Sequence, residues 1–198
     1  MRFLRIATVA LLAAVAIFIP IHWSDTGELG HYWSIKPYSF VGRDGKPVTD
    51  RDLSGKVCVF ACFFTCCTES CPQLSAAMAK LQSTLADLKD VRLVSLTVDP
   101  DHDKPETLNA YAETFGAKPD RWLFVTTKPD DVKAFVLERL KLGLDENAAK
   151  DRTPGNKLLH SNKLVLVDRT GEIRGFFDGT SPAEVDALAK AIRQLHTQ

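Results

Sequence analysis

VCVFACFFTCCTESCPQLS, residues 57–75, contains all five cysteines of the chain. Its first part, Val57–Phe64, is a continuous apolar run of strand length, typical of a central strand that is buried on both faces. Pro72 then favours the first turn of a helix, because proline has no N–H to leave unpaired there. Beyond it, apolar residues recur at helical spacing up to Leu88. The stretch therefore predicts a buried strand, a loop and a helix.

The rest of the chain alternates between strand-like and helix-like patterns. A turn signal around Gly45 predicts a small hairpin over Tyr38–Val48, and Asp168-Arg169-Thr170-Gly171 predicts a second one. The order predicts an α/β domain of three layers with a mixed central sheet. The further predicted strands and helices are Val91–Val98, Lys104–Phe115, Trp122–Thr126, Pro129–Lys141, Lys163–Val167, Glu172–Phe176 and a last helix starting at Ser181.

The composition limits the functions that the chain can have. With 198 residues it is long enough for one domain with a full core, so the cysteines are not needed as covalent supports. Lys plus Arg (25) equals Asp plus Glu (25), which leaves no net charge. A nucleic-acid-binding protein would need a basic surplus or patch, and we therefore expect no nucleic-acid partner.

The N-terminus has the pattern of a membrane-targeting segment. Arg2 and Arg5 precede an apolar run over Ile6–Ile21, which is intermediate in length between a signal-peptide core and a membrane span. We expect residues 1–22 to be a single transmembrane anchor, or else a cleaved signal, residues 23–37 a linker, and residues 38–198 the domain. The arginines place the N-terminus in the cytoplasm and the domain outside, where disulfides persist.

The cysteines divide by position. Cys58 and Cys62 lie four residues apart in the predicted strand, and packing in the core explains both. Cys67 and Cys71 follow the strand, where open α/β sheets bind their ligands. Cys71 is close to the helix start, where free N–H groups and the helix dipole favour a thiolate, the form that attacks disulfides and binds metals.

The spacing of this pair leaves two kinds of chemistry open. Thioredoxin-like redox sites use Cys-x-x-Cys, whereas three residues separate Cys67 from Cys71. The pair can still form a disulfide, or it can bind a metal together with a third ligand. Two thiolates and an imidazole suit copper or zinc. Among the five histidines, His160 has a suitable position, directly before the predicted strand at Lys163.

Several motifs resemble those of the SCO/SenC family, the copper chaperones of cytochrome c oxidase assembly. Residues 64–72, FTCCTESCP, resemble the family's T-x-C-P-D-x-C-P signature, and residues 98–105, VDPDHDKP, are similar to its V-D-P-x-x-D-x-P segment. His160 stands where the family has its copper-ligand histidine. The resemblance covers roughly residue 38 to the C-terminus. It implies a thioredoxin-like fold and a site for Cu(I) or Cu(II) with Cys67, Cys71 and His160 as ligands.

The same resemblance implies a biological role. A protein anchored in the bacterial inner membrane, with its domain on the periplasmic side, would deliver copper to the dinuclear copper site of cytochrome c oxidase subunit II or another apo-protein. Alternatively it would reduce the thiols of that site, which calls for a thiol reductant as a further partner. Asp99 and Asp103 match motif positions; we expect them to shape the loop or tune the site rather than bind metal, or equally to cap the helix near Lys104.

The sequence departs from the family signature at three positions. Thr68 replaces the usual proline, Glu69 replaces an aspartate, and Cys66 is an additional thiol that we expect to pack inward or to have no role. The alternative to a metallochaperone is a thiol-disulfide oxidoreductase or peroxidase with Cys67 and Cys71 as its redox-active pair. A sensory module without turnover is a third reading.

Overall fold

The computed structural model describes residues 29–68, 70–142 and 161–197. Its seven strands and four helices follow the predicted order, and α3 continues directly into a π-helical turn, Phe135–Arg139. The strands are β1 Ser39–Gly42, β2 Pro47–Thr49, β3 Val57–Phe63, β4 Val91–Thr97, β5 Trp122–Thr126, β6 Lys163–Val167 and β7 Ile173–Asp178. The helices are α1 Ser70–Thr84, α2 Pro105–Thr114, α3 Pro129–Ala134 and α4 Pro182–His196.

The strands form one mixed sheet in the order β2-β1-β5-β4-β3-β6-β7. Strands β3, β4 and β5 are parallel, whereas β1 and β6 run antiparallel to their neighbours β5 and β3. All seven residues of β3 are buried, as its continuous apolar sequence predicts. The mixed α/β sheet is therefore confirmed, and β3 lies inside it with a neighbouring strand on each side.

Helices cover both faces of the sheet. Phe63 points to one face, where its ring lies 5.1 Å from that of Tyr111 in α2. Phe60 points to the other face, towards Phe135 at the end of α3. Since α1 contacts both α4 and α2, these three helices share the first face. The domain thus has the three layers that the sequence predicts.

Part of the predicted linker packs on the domain. The side chain of Ile35 is fully buried, and Ser34 forms an antiparallel bridge with Glu172 of the last hairpin. Trp33 donates a hydrogen bond of 2.6 Å from its Nε1 to the carbonyl oxygen of Arg139. Residues 29–37 therefore belong to the folded unit. The predicted anchor, residues 1–22, lies outside the described residues, and no helix within them has the length and apolar character needed to cross a membrane.

Candidate metal centre

The cysteine pair lies between the end of β3 and the first turn of α1. Cys67 and Cys71 are 8% and 4% exposed, and the backbone N–H of Cys71 donates a hydrogen bond of 3.4 Å to Cys67 Sγ. The N–H of Cys67 in turn donates to the carbonyl oxygen of Phe64, which closes the loop into a turn. An N–H aimed at sulfur stabilises negative charge there. The structure thus brings the two predicted thiols together at a helix N-terminus.

Burial changes the acidity expected for Cys71. The sequence predicts a thiolate-favouring position near Cys71, but desolvation raises the pKa of its thiol well above the ordinary value, and a hydrogen bond with Cys67 adds to the effect. Desolvation outweighs the helix dipole because Cys71 is almost completely enclosed. A buried thiol of this kind loses its proton when a metal cation supplies the compensating charge.

Asp103 attaches the cysteine loop to the neighbouring strand. Its fully buried carboxylate accepts hydrogen bonds from the backbone N–H of Thr65 at 3.1 Å and from the hydroxyls of Thr65 and Thr97. The N-cap of α2 is Lys104, which has no side-chain cap. For Asp103 the expectation that it shapes the loop is therefore correct, and the alternative that it caps the helix is wrong.

Asp99 and His102 form a carboxylate–imidazole pair beside this loop. The carboxylate oxygens of Asp99, a residue only 4% exposed, lie 2.9 and 3.0 Å from His102 Nδ1. A hydrogen bond and the negative charge of Asp99 raise the pKa of His102 above its usual value. Nδ1 is engaged with Asp99, and 69% of the His102 side chain remains exposed.

Two residues near the thiols have no signal in the sequence. Tyr111 of α2 accepts or donates a hydrogen bond of 3.1 Å with the hydroxyl of Ser75, one turn along α1 from Cys71. Burial raises the pKa of Tyr111 to about 12, and the nearby Cys71 and Cys67 contribute. A tyrosine in an ordinary amphipathic helix pattern gives no indication that it faces a thiol pair. Only the tertiary contact shows this.

The other three cysteines lie in two different settings, two in the core and one at the surface. Cys58 and Cys62 are buried in β3, as predicted, and burial raises the pKa of each to about 12. Cys66 is exposed, so the expectation that it packs inward is wrong. That expectation assumed an extended chain, whereas β3 ends at Phe63 and Cys66 lies in a turn.

Two thiols alone do not complete a metal site. Within the residues that the structure describes, no group of three or more His, Cys, Asp or Glu side chains is arranged to hold a metal ion. The predicted third ligand, His160, lies outside the described residues, as does Glu69. The donors present, two adjacent sulfurs that are shielded from water, fit a soft metal ion and equally allow a disulfide.

A comparison with known families identifies the domain. Residues 28–197 match the family model described as SCO1/SenC. The chain belongs to the SCO1/SenC family. The matched region includes the N-terminal arm at Ile35 and ends with α4, and it therefore agrees with the folded unit that the structure shows.

Individual relatives agree with this assignment. The SCO1 protein homolog of Bacillus subtilis (strain 168) is 28% identical over 167 residues, which cover 83% of this chain and 84% of the relative. The solved structure of BsSco is described as that of a member of the Sco family of cytochrome c oxidase assembly proteins, with a disulfide switch. BsSco is 28% identical to this chain and superposes with a TM-score of 0.72, over 86% of this chain and 96% of BsSco. Arabidopsis thaliana ScoI, solved with copper bound, has the same fold with a TM-score of 0.65 at 24% identity, over 80% of this chain and 98% of ScoI.

Proposed function

We propose that this SCO1/SenC protein is a copper-binding metallochaperone whose ligands are Cys67, Cys71 and His160. The observation that carries the proposal is the buried thiol pair, held by the hydrogen bond from Cys71 N–H to Cys67 Sγ. Soft thiolates with one imidazole suit copper, and burial protects Cu(I) ligands from competing water and oxidants. ScoI, which binds copper in its solved structure, has this fold.

The position of β6 supports His160 as the third ligand. Strand β6 is antiparallel to β3, with Val165 opposite Phe60, so the residues that precede β6 lie at the end of β3 that leads to the cysteines. The carbonyl oxygen of Asn162 there accepts a hydrogen bond from Gly179, and a Cβ on Gly179 would collide with Leu74 of α1. His160 is two residues from Asn162, a chain length of at most about 7 Å.

The copper would be cargo that is passed to a partner. We infer that the acceptor is the dinuclear copper site of cytochrome c oxidase subunit II, whose thiols this protein would load with copper or keep reduced. The description of BsSco as a cytochrome c oxidase assembly protein supports this assignment. Residues 1–22 would anchor the protein in the bacterial inner membrane, with residues 38–198 and the arm before them on the periplasmic side, where a thiol reductant would act on the pair.

Copper titration of the full-length chain in an uncharged detergent tests the ligand set. The reduced protein is titrated with Cu(I) against a chromophoric competitor, and with Cu(II). We expect one copper per chain, no binding by Cys67→Ser or Cys71→Ser, and an affinity at least ~10-fold lower for His160→Ala. His31→Ala, which removes an exposed histidine of the arm, is the matched control and should bind as the unchanged protein does. Equal affinity of the two histidine variants would contradict His160 as a ligand.

A thiol-disulfide oxidoreductase, or a peroxidase, is the second candidate function. The contact between Cys67 and Cys71 favours it, because one thiolate could attack a substrate disulfide while the other resolves the mixed disulfide. The disulfide switch described for BsSco also supports redox chemistry at such a pair. Turnover of a model disulfide or a peroxide by a chain that binds no copper would replace the chaperone proposal with this one.

A further inference from the structure

A small basic pocket lies at the opposite end of the sheet from the cysteines. Its volume is about 140 Å³, and four cationic side chains line it around the start of β4 and β5: Lys89, Arg92, Lys118 and Arg121. Asp120 is the carboxylate in the lining. The cysteine loop follows the other end of these parallel strands, a distance of roughly 20 Å along a strand of this length.

Arg121 forms the inner wall of the pocket. It is 8% exposed, and its guanidinium donates hydrogen bonds to the carbonyl oxygens of Leu88 and Leu85, the second at 2.6 Å. These carbonyls follow the end of α1, where a cation is stabilising. A guanidinium has five N–H groups, so this structural role leaves donors that Arg121 can direct to a bound group.

A second arginine, Arg92, lies next to Arg121 in the sheet. Leu93 of β4 is paired with Trp122 of β5 in parallel register, which places Arg92 of β4 beside Arg121, the residue directly before β5. Like charges at such adjacent positions repel. Burial, and after it the positive charge of Arg92, lower the pKa of Arg121, which agrees with two cations held close together.

The four cationic side chains of the pocket form no ion pairs with the described residues. Across residues 29–68, 70–142 and 161–197, none of the four lies within 4.0 Å of a carboxylate oxygen, whereas Arg169, Arg174 and Arg193 elsewhere each form an ion pair. Within the part of the chain that the structure describes, Arg92 donates to two backbone carbonyl oxygens, those of Lys89 and Val91. A concave site with buried and unpaired positive charge has the chemistry of an oxyanion site.

We propose that this pocket binds a phosphate-type oxyanion, with Arg92 and Arg121 at its base and Lys89 and Lys118 at its rim. The oxyanion could come from free phosphate or from the headgroup of an anionic phospholipid. The N-terminal arm joins the domain at the same end of the sheet, since the N–H of Ile35 donates to Gly171 in the β6–β7 hairpin and Gly55, just before β3, donates to Arg169. For a chain that is held at a membrane through this arm, the geometry therefore also allows a lipid headgroup as the bound oxyanion.

The test uses the full-length chain in an uncharged detergent at low salt. Calorimetry follows three titrants: inorganic phosphate, short-chain phosphatidylglycerol and short-chain phosphatidylcholine, the last being zwitterionic. The pocket variant is Lys89→Gln with Lys118→Gln, which leaves both buried arginines in place. The matched control, Lys128→Gln with Lys133→Gln, removes the same charge from exposed positions near and in α3. Thermal unfolding confirms that both variants fold.

The expected result is saturable binding of phosphate or phosphatidylglycerol that falls at least about tenfold in the pocket variant and is unchanged in the control. Binding of inorganic phosphate identifies a free anion as sufficient, and binding of phosphatidylglycerol alone identifies the lipid headgroup. Absence of saturable binding by either anion, equal weakening in both variants, or equal binding of phosphatidylcholine would overturn the proposal.

Discussion

At the scale of single residues, exposure singles out one of the five cysteines, which their spacing alone does not. Cys66 is exposed, while its neighbour Cys67 and the three others are buried. Slight burial and the negative charges of Asp99 and Asp103 raise the pKa of the Cys66 thiol. Reagents therefore reach this thiol because it is exposed and not because it is acidic. We therefore expect small thiol reagents to reach Cys66 first, although the copper ligands we propose are the enclosed pair.

This difference predicts the order of thiol alkylation. Under native, reducing conditions and without copper, iodoacetamide should modify Cys66 first and the other cysteines at least about ten times more slowly, because those require local opening. Peptide mass spectrometry after timed quenching measures the rates. The Cys66→Ser variant should lose the fast phase and keep its copper stoichiometry. Fast modification of Cys67 in that variant would show that the pair is more open than the structure indicates.

His102 gives a prediction about pH. The carboxylate of Asp99 raises its pKa above the ordinary value of about 6.5, so the imidazolium is favoured in the folded protein. The pair therefore stabilises the fold fully below about pH 6.5, and this contribution disappears as the pH rises through the raised pKa. An NMR titration of the His102 ring should show the raised pKa in the unchanged chain and a value close to 6.5 in Asp99→Asn. Identical titration curves would contradict the pairing.

At the scale of elements, the sequence predicts strands and helices well where the apolar residues form a clear strand-like or helix-like pattern. The continuous apolar run over Val57–Phe64 is stable only where both faces of the strand are buried, in the interior of the sheet. The apolar side of the helix after Pro72 must be buried against a face of that sheet. The arm at Ile35 could not be predicted, because a few apolar residues in a polar segment have no period. Helix α3 changes to a π-helical turn at Phe135, within the predicted Pro129–Lys141 helix, where the tertiary contacts of that ring override the local pattern.

The candidate site was predictable to a similar degree. The spacing of Cys67 and Cys71 across a strand–helix junction correctly indicates that they meet, since the loop is too short to separate them. The raised pKa of Cys71 was not predictable, because it depends on enclosure by residues distant in sequence. The Thr65–Asp103 contact has the same origin: it joins the ends of two adjacent parallel strands, and neither residue shows this locally.

The loop-to-strand connection made by Asp103 can be tested by an isosteric substitution that replaces the carboxylate with an amide. In Asp103→Asn an amide NH₂ replaces one acceptor oxygen and leaves a buried donor unsatisfied, which should lower the free energy of unfolding by about 2–3 kcal/mol. The copper affinity should fall as well, because the loop that carries Cys67 loses its attachment. Urea unfolding and Cu(I) competition measure the two effects.

Asp101→Asn is the matched control for this substitution. Asp101 lies two residues away in the same segment and is exposed, so its change should leave both the stability and the copper affinity within experimental error. If Asp103→Asn behaved like Asp101→Asn in both measurements, Asp103 would be a passive buried residue, and another contact would have to hold the cysteine loop against β4.

At the scale of the whole molecule, the two ends of the sheet have different chemistry. The thiols follow the carboxyl end of β3, while the N-terminal arm and the basic pocket lie at the opposite end. A chain held at a membrane through its arm would therefore present its thiols away from the point of attachment. This arrangement would suit the metallochaperone proposed above, because an anchored N-terminus would not obstruct the end of the sheet that carries the proposed copper ligands.

The arm also sets the limit of the stable domain. Removal of residues 1–28 retains Trp33 and Ile35, whereas removal of residues 1–37 exposes the site that the fully buried Ile35 fills and deletes the Ser34 bridge to Glu172. We expect the shorter fragment to be less stable by about 3–5 kcal/mol, and Ile35→Ala in the longer fragment to lose about 2–4 kcal/mol. Urea unfolding of the three proteins measures these differences. The copper affinity of Ile35→Ala should stay unchanged wherever the protein is folded, since the arm joins the end of the sheet opposite the thiols. Equal stability of the two fragments would show instead that residues 29–37 are a linker whose packing adds nothing to the fold.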